Sequence, residues 1–228
     1  MPLHAIQHLS PTAVLGLWHL TETPAELWAE LPNAAAYQAL LPAAAATRQS
    51  QWLAGRRLIH RLFEETMAPP PAYALVRNDA TGRPWLTGAA PGAVVSLSHS
   101  GAWVAAVLAQ GGRAGVDVEM IRDKAQRLAG KFLAPEEWAD ARAATHAAAD
   151  AGSAHYTLLW SAKESLYKLA ARRGILFRQQ LRLHSFSPRA AGEIPATLVL
   201  NGAETRHSIC YAQPAPGYVL TYCHEPTG

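Results

Sequence analysis

The stretch WSAKESLYK, residues 160–168, places two lysines and a glutamate in a segment that otherwise has the spacing of a buried helix. On a helix over residues 156–173, one face is a continuous apolar stripe and the opposite face is mixed. The mixed face carries Trp160, Glu164, Tyr167 and Lys168. The apolar stripe consists of Leu158, Leu159, Ala162, Leu166 and Leu169. The helix is therefore predicted to be packed on two sides.

The charges on the mixed face have two interpretations. Glu164 and Lys168 can form an exposed i,i+4 salt bridge, which stabilises a helix by only ~0.2–0.5 kcal/mol. The aromatic neighbours instead favour a packed face, where a buried glutamate and lysine need partners. If Glu164 faces two carboxylates from another element, the three together would form a metal site.

A second acidic segment, AGVDVEMI over residues 114–121, reads as a strand. Its alternation places Val116 and Val118 on one face and Asp117 and Glu119 on the other. Taken alone, the two acids most simply form a solvated face. Acids are nevertheless disfavoured in strands, and Mg²⁺ commonly takes one or two carboxylates together with substrate phosphates. The pair therefore also suits a divalent cation.

Composition excludes several classes of protein. Half of the 228 residues are hydrophobic and 16% are charged, which indicates a globular chain. A net charge of +3 is too small to indicate nucleic-acid binding by itself. No apolar run reaches the ~18 residues of a membrane span, and no signal peptide opens the sequence. Together with two cysteines, Cys210 and Cys223, interpreted as free thiols, these features predict a cytoplasmic protein.

Helical and strand-like segments alternate along the whole chain, which predicts an α+β fold. The paired glycines of QGGRA (110–114) are the best boundary. Residues 1–110 then form an N-terminal lobe, 111–114 a linker and 115–228 a C-terminal lobe. Helices are predicted through Trp52 to Phe63, over 124–149 and over 156–173, with APPPA (68–72) ending the first one. Strands are predicted near 181–187, 196–200, 206–212 and 217–223, with Cys210 opposite Leu220 in the last hairpin.

The order of several motifs resembles the 4′-phosphopantetheinyl transferase superfamily, in its larger two-lobed, surfactin-synthetase-activating type. GVDVE followed about 45 residues later by WSAKESLYK resembles the signature pair of that family. AGRRLIHRL, TGRPWL, VSLSHSGAWVAAV and KFLAPEEW resemble further family segments in the same order, from about Arg48 to Phe177. The resemblance implies two similar α/β lobes related by a pseudo-twofold axis, with the active site at their seam.

The resemblance also implies an activity, which is the Mg²⁺-dependent transfer of 4′-phosphopantetheine from coenzyme A to a serine of an apo acyl or peptidyl carrier protein. The second product is 3′,5′-ADP. Asp117, Glu119 and Glu164 match the metal ligands. Glu164 also matches the proposed general base, and Lys168 the residue that neutralises the leaving phosphate. The resemblance implies a monomer, since one chain supplies both lobes.

Coenzyme binding is implied for residues outside the acidic cluster. They are Arg56, Arg83, Ser98, His99 and Lys163. Ser98 and His99 match residues that contact the 3′-phosphate, and Arg83 stands where many relatives have lysine. The first 47 residues hold no lysine or arginine, although relatives often place basic coenzyme-binding residues there.

Two other functions remain open at this point. One is a non-catalytic relative that binds coenzyme A or a carrier protein without transfer. The other is a hydrolase built on Ser98, His99 and Asp117, although adjacent Ser and His residues cannot easily face each other as nucleophile and base. Dependence on Mg²⁺ distinguishes a transferase from the hydrolase.

Overall fold

The computed structural model describes residues 3–66, 74–146 and 152–226. The chain divides into two compact units. The first unit holds the residues up to Ala114 together with those from His224 onward, and the second holds Gly115–Cys223. Both contain helices and strands, so the predicted α+β class is confirmed. The predicted lobe boundaries and the similarity of the two lobes stay predictions.

The first unit is built on a four-stranded antiparallel sheet with the order β1-β2-β6-β5. A two-stranded hairpin, β3 with β4, and three helices complete it. The elements are β1 (Leu3–Ser10), β2 (Ala13–His19), α1 (Pro24–Ala29), α2 (Ala34–Tyr37), α3 (Ala46–Thr66), β3 (Leu75–Asn78), β4 (Pro84–Thr87), β5 (Ala93–Ser100) and β6 (Trp103–Gln110).

The long helix α3 confirms the helix predicted from apolar spacing. Its inner face buries Leu53, Ile59, Leu62 and Phe63, and Trp52 is half-buried. These side chains share one core with the inward residues of β2 and β6. The predicted end of this helix at residues 68–72 lies outside the described residues.

The second unit is built on a five-stranded sheet with the order β7-β11-β10-β9-β8. The elements are β7 (Arg113–Met120), α4 (Asp123–Phe132), α5 (Pro135–His146), α6 (Gly152–Ala170), α7 (Phe177–Gln180), β8 (Leu181–Leu183), β9 (Ala191–Leu200), β10 (Ala203–Ala212) and β11 (Tyr218–Glu225). The core of this unit is formed by the sheet and by buried side chains of the helices α4, α5 and α6, and the partly buried Phe177 packs against it.

Two sequence predictions for the second unit need correction. The helix predicted over 124–149 is two helices, because the residue before Pro135 is biased away from helical geometry while Pro135 itself suits the first position of α5. The predicted hairpin register is also wrong, since Cys210 pairs with Tyr222 rather than with Leu220. The connection from β10 to β11 is longer than the predicted turn, which moves the pairing by two residues. Cys210 and Cys223 are both free thiols, as predicted.

Within the residues that the structure describes, no helix is both long and apolar enough to cross a membrane.

Candidate active site

The strand β7 and the helix α6 bring Asp117 and Lys168 into contact. The ammonium of Lys168 donates to Oδ1 of Asp117 at 2.8 Å and to the carbonyl oxygen of Val116 at 2.8 Å. Asp117 is only 4% exposed, so the interpretation of Asp117 as part of a solvated face is wrong. The i,i+4 pair between Glu164 and Lys168 is likewise not the main contact, because Lys168 reaches across to another element.

Backbone contact sets the spacing between α6 and β7. A Cβ atom on Gly115 would lie 1.9 Å from the carbonyl oxygen of Ser165, so no other residue fits there without a shift of the backbone. The hydroxyl of Ser165 donates to the carbonyl oxygen of Thr221 at 2.9 Å, and Ser161 lies 2.9 Å from the Thr221 hydroxyl. Small residues on this face of α6 thus allow the helix to lie directly on β7 and β11.

The carboxyl group of Glu164 lies on the side of α6 that faces the two acids of β7. Burial raises the pKa of Glu164 to about 7, with Lys168 lowering it and the charges of Asp117 and Glu119 raising it further. The three carboxylates are therefore close enough to repel one another. At neutral pH Glu164 can both hold and release a proton, which is the property of a general acid or base.

An aromatic group orients the third carboxylate. The indole nitrogen of Trp160 donates to Oε1 of Glu119 at 3.3 Å. The ring of Trp160 stacks on Phe177, with centroids 5.7 Å apart and planes at 20°, and Tyr167 lies against the same Phe177 ring. The aromatic residues on the mixed face of α6 are packed, as predicted, and they pack against α7.

The carboxylates suit a divalent cation by their chemistry. Hard oxygen donors are the ligands that Mg²⁺ prefers, and a cation would relieve the repulsion that raises the pKa of Glu164. The arrangement is not preformed, however: across residues 3–66, 74–146 and 152–226, no group of three or more His, Cys, Asp or Glu side chains is placed to hold a metal ion. Asp117 is engaged by Lys168 and Glu119 by Trp160.

Lys163 lies in an environment that differs from the one predicted. Its side chain is 0% exposed, and its ammonium donates to Glu137, to the Phe132 carbonyl and to the Phe177 carbonyl at 2.5, 2.9 and 3.1 Å. These bonds use all three N–H donors of the ammonium. Burial lowers the pKa of Lys163 and Glu137 opposes that effect. A contact between Lys163 and coenzyme A would have to break at least one of these bonds, and the coenzyme-binding role of Lys163 stays a prediction.

The predicted coenzyme-binding residues of the first unit lie on α3, β5 and the β3–β4 turn. Arg48, at the start of α3, contacts the ring of His99 on β5. Ser98 precedes His99 in the same strand and is half-buried. Because consecutive strand residues point to opposite faces, Ser98 and His99 are not placed as a nucleophile and its base.

Arg56 is almost fully buried at 4% exposure. Its guanidinium lies 3.7 Å from the centre of the Trp52 ring and donates to Oδ1 of Asn78. Asn78 in turn donates to the Gly82 carbonyl at 2.6 Å, next to Arg83 in the turn. Burial lowers the pKa of Arg56 to about 10. Among the described residues its Nε has no hydrogen-bond partner. The buried guanidinium therefore still has a donor with which it can bind an anion.

Four site residues escaped the sequence analysis. Gly115 and Thr221 set the spacing of α6, Asn78 links Arg56 to the turn, and Glu137 holds Lys163. Gly115 lies inside the motif GVDVE, and Glu137 lies inside the motif KFLAPEEW. A strand glycine marks a close backbone approach, and that signal was available at Gly115. The role of Glu137 depends on Lys163, 26 positions away, so no pattern in the neighbouring sequence indicates it.

Transfer of phosphoryl-type groups asks a protein mainly for positioning and charge neutralisation, and an ionisable glutamate beside a lysine–aspartate pair can supply both. The comparison with protein families agrees with this class. Residues 113–223 match the model of the 4′-phosphopantetheinyl transferase superfamily. That segment contains the Asp117–Lys168 pair, Glu119 and Glu164. The match supports phosphopantetheine transfer in general, with coenzyme A and carrier proteins as the partners of the family.

No curated protein matches the sequence of the chain.

Proposed function

We propose that this protein transfers 4′-phosphopantetheine from coenzyme A to a serine of an apo carrier protein and releases 3′,5′-ADP. The observation that carries the proposal is the position of Glu164 on α6, partly buried beside Asp117, Glu119 and Lys168. All four residues lie in the segment that matches the superfamily.

The reaction exchanges one phosphorus–oxygen bond for another. The serine oxygen of the carrier protein bonds to the phosphorus that bears the pantetheine arm. The bond from that phosphorus to the bridging oxygen of the pyrophosphate breaks, and its electron pair leaves with 3′,5′-ADP. The serine proton has to be removed, and charge develops on the leaving phosphate. Each of these two demands has a candidate residue on α6.

Glu164 is the proposed general base. In the metal-free protein burial raises the pKa of Glu164 to about 7; a bound cation would favour its ionised form, which is the form that accepts a proton. Lys168 is the proposed electrostatic partner of the leaving phosphate. Its ammonium is fixed by Asp117 and by the Val116 carbonyl, so its charge is positioned before the reaction begins.

The proposal assigns Asp117, Glu119 and Glu164 as ligands of Mg²⁺. When bound, the cation neutralises charge on the coenzyme A pyrophosphate as the bond to phosphorus breaks. The donor set supports this assignment, since three mutually repelling carboxylates gain stability from a cation. Trp160 keeps Glu119 oriented toward that role.

The proposal assigns the phosphates of coenzyme A to Arg56, Arg83, Ser98 and His99. Arg56 supports this assignment because a buried guanidinium with an unused Nε gains a partner when an anion binds. His99 is held by Arg48, which adds positive charge beside the ring. Arg83 offers the planar, bidentate geometry that matches phosphate oxygens.

Mass spectrometry of apo carrier proteins tests the function directly. A panel of fatty-acid, polyketide and peptide-synthetase carriers is incubated with the protein, coenzyme A and Mg²⁺. The expected result is a mass gain of one phosphopantetheine group on at least one carrier, with 3′,5′-ADP in equal amount. A carrier whose acceptor serine is replaced by alanine is the control. The reaction should stop with EDTA and with Asp117→Asn, which keeps the size of the side chain but removes its charge.

A non-catalytic binding module is the second candidate. It would bind coenzyme A or a carrier in a calorimetric titration and leave the mass of every carrier unchanged. The pKa of Glu164 favours the enzyme, because a module that only binds has no need for a carboxyl group that titrates near pH 7.

A further inference from the structure

The second unit contains a buried ion pair that the proposed reaction does not use. Oε2 of Glu137 lies 2.5 Å from the ammonium of Lys163 and accepts the Ala134 amide at 2.6 Å. Oε1 of Glu137 accepts the Leu183 amide at 2.6 Å. The two side chains are 7% and 0% exposed. One carboxylate therefore joins the start of α5, the strand β8 and the helix α6.

Lys163 extends this connection to two more helices. Its ammonium donates to the carbonyl of Phe132, the last residue of α4, and to the carbonyl of Phe177, the first residue of α7. Phe132 lies at the C-terminus of α4, where carbonyls have no partner within the helix and a cation interacts favourably with the dipole; Phe177 contributes a single hydrogen-bond acceptor. The pair thus connects α6 to α4, α5 and α7.

Lys163 is directly followed by Glu164. Consecutive residues on a helix project about 100° apart, so the direction in which Lys163 is anchored determines the direction of Glu164. With Lys163 fixed in the core, Glu164 is left on the side of β7, near Asp117 and Glu119. A small rotation of α6 would move Glu164 away from both.

We propose that Glu137 is a positioning residue for the acidic cluster: it holds the ammonium of Lys163 in the core and thereby fixes the rotation of α6 that presents Glu164. Lys163 is then the pivot of α6 and not a ligand of coenzyme A. The inference rests on the proposed function in so far as Glu164 is the base of the transfer reaction.

Three variants and a control test the inference in the full-length protein. Glu137→Gln places an amide donor against the Ala134 amide and the Lys163 ammonium. Lys163→Met removes the charge and leaves an unbranched side chain that is one heavy atom shorter. The double variant contains neither charge, and Glu136→Gln changes an exposed neighbour on the same helix. The measurements are kcat and KM for coenzyme A, the coenzyme A dissociation constant by calorimetry, and amide hydrogen exchange of residues 160–168.

The expected result is a separation of kcat from coenzyme binding. Glu137→Gln and Lys163→Met should each lower kcat at least about tenfold while the dissociation constant of coenzyme A stays within about twofold of the wild type. The double variant should be no worse than the poorer single variant, because both changes break the same pair. Exchange of residues 160–168 should be faster than in Glu136→Gln, whose kinetics should match the wild type.

Two results would overturn the inference. Coenzyme A binding weakened tenfold in Lys163→Met but not in Glu137→Gln would make Lys163 a coenzyme ligand. A kcat within twofold of the wild type in both folded single variants would make the pair a stabilising contact only. If a single variant does not fold because it leaves an unpaired buried charge, the double variant decides: a kcat within twofold of the wild type, or coenzyme A binding weakened tenfold, overturns the inference.

The outcome for the proposed function is separate. A wild type that transfers nothing to any carrier contradicts that function alone. Hydrogen exchange and coenzyme A calorimetry need no turnover, so they still decide the inference. In that case unchanged exchange of residues 160–168 in Glu137→Gln overturns it, and faster exchange with unchanged coenzyme A binding supports it.

Discussion

The ammonium of Lys168 on α6 lies 2.8 Å from Oδ1 of Asp117 on β7, 51 positions earlier in the chain. Lys168 is 25% exposed and Asp117 is 5% exposed at the side chain. The pair therefore has one member in the core and one at the edge of solvent. It neutralises a buried carboxylate and at the same time presents a fixed positive charge beside Glu164.

Removing the lysine should affect both properties. We expect Lys168→Ala to lower kcat at least about tenfold and to reduce the free energy of unfolding by about 1–3 kcal/mol, less than for a fully buried pair because Lys168 is partly solvated. Lys168→Arg should retain most of the stability. Steady-state kinetics and urea unfolding measure the two effects, with Lys124→Ala as the exposed control. A kcat within twofold of the wild type would exclude Lys168 from the transition state.

The raised pKa of Glu164 makes a prediction about pH. Between pH 4.5 and about 7 the folded protein holds a proton that the unfolded chain has released. The metal-free protein should therefore lose stability as pH rises through this window, by about 1–3 kcal/mol, and stay level above it. Glu164→Gln imitates the protonated group, so in EDTA it should melt higher than the wild type at pH 8 and match it near pH 5.

The same variant should lose most of kcat at every substrate concentration, because the base is gone. Thermal melts at several pH values and a transfer assay provide the two readouts. Glu136→Gln should follow the wild type in both. Equal melting temperatures of Glu164→Gln and wild type at pH 8 would contradict the raised pKa of Glu164.

Gly115 should tolerate no side chain. The methyl group of Gly115→Ala would collide with the Ser165 carbonyl, so β7 and α6 have to separate. We expect a loss of several kcal/mol in unfolding free energy, as for other overpacked cores, with loss of transfer. The control is Gly152→Ala in the same unit, where the new methyl meets Gln126 at an ordinary 3.5 Å. Comparable stability of the two variants would contradict the close approach.

The contribution of Trp160 to orienting Glu119 can be isolated. Trp160→Phe keeps an aromatic ring against Phe177 and removes the indole N–H. We expect kcat to fall about threefold to tenfold, the value of one hydrogen bond, with a small change in melting temperature. Trp138→Phe, at a 42% exposed position, is the control. If Trp160→Phe has wild-type kcat at limiting Mg²⁺, the bond does not orient a metal ligand.

His99 should recognise the 3′-phosphate of coenzyme A. We expect His99→Ala to weaken coenzyme A binding about tenfold, because a hydrogen bond to a charged group is lost. Binding of dephospho-coenzyme A, which lacks that phosphate, should not change. Calorimetry with both ligands measures the difference, and His8→Ala on an exposed strand is the control. Equal weakening of both ligands would assign His99 a different contact.

The faces of α6 were predictable because helical periodicity acts within one segment. Leu158, Leu166 and Leu169 are buried and Trp160 and Glu164 are half-buried, as the spacing indicated. The burial of Asp117 was not predictable from alternation alone. A strand at this place in the sheet is covered on both faces, and the covering element comes from a distant part of the sequence.

Pairings across the chain account for the remaining differences. Lys163 has the sequence context of a functional lysine, and only the fold reveals that Glu137 and two helix carbonyls surround it. The register of the last hairpin depends on the length of its turn. Proline and glycine residues indicate where the turn lies, but they do not give the number of residues in it. Local patterns thus predicted elements and motifs, whereas long-range partners decided the role of individual charges.

The contact between Gly115 and the Ser165 carbonyl has a consequence for how this chain can change over time. Two main chains in contact set the distance between β7 and α6, so that distance depends little on how large the surrounding apolar side chains are. We therefore expect changes in the size of apolar side chains away from this contact to alter stability more than they alter the spacing of β7 and α6. The many alanines of this sequence are compatible with an intact acidic cluster for that reason.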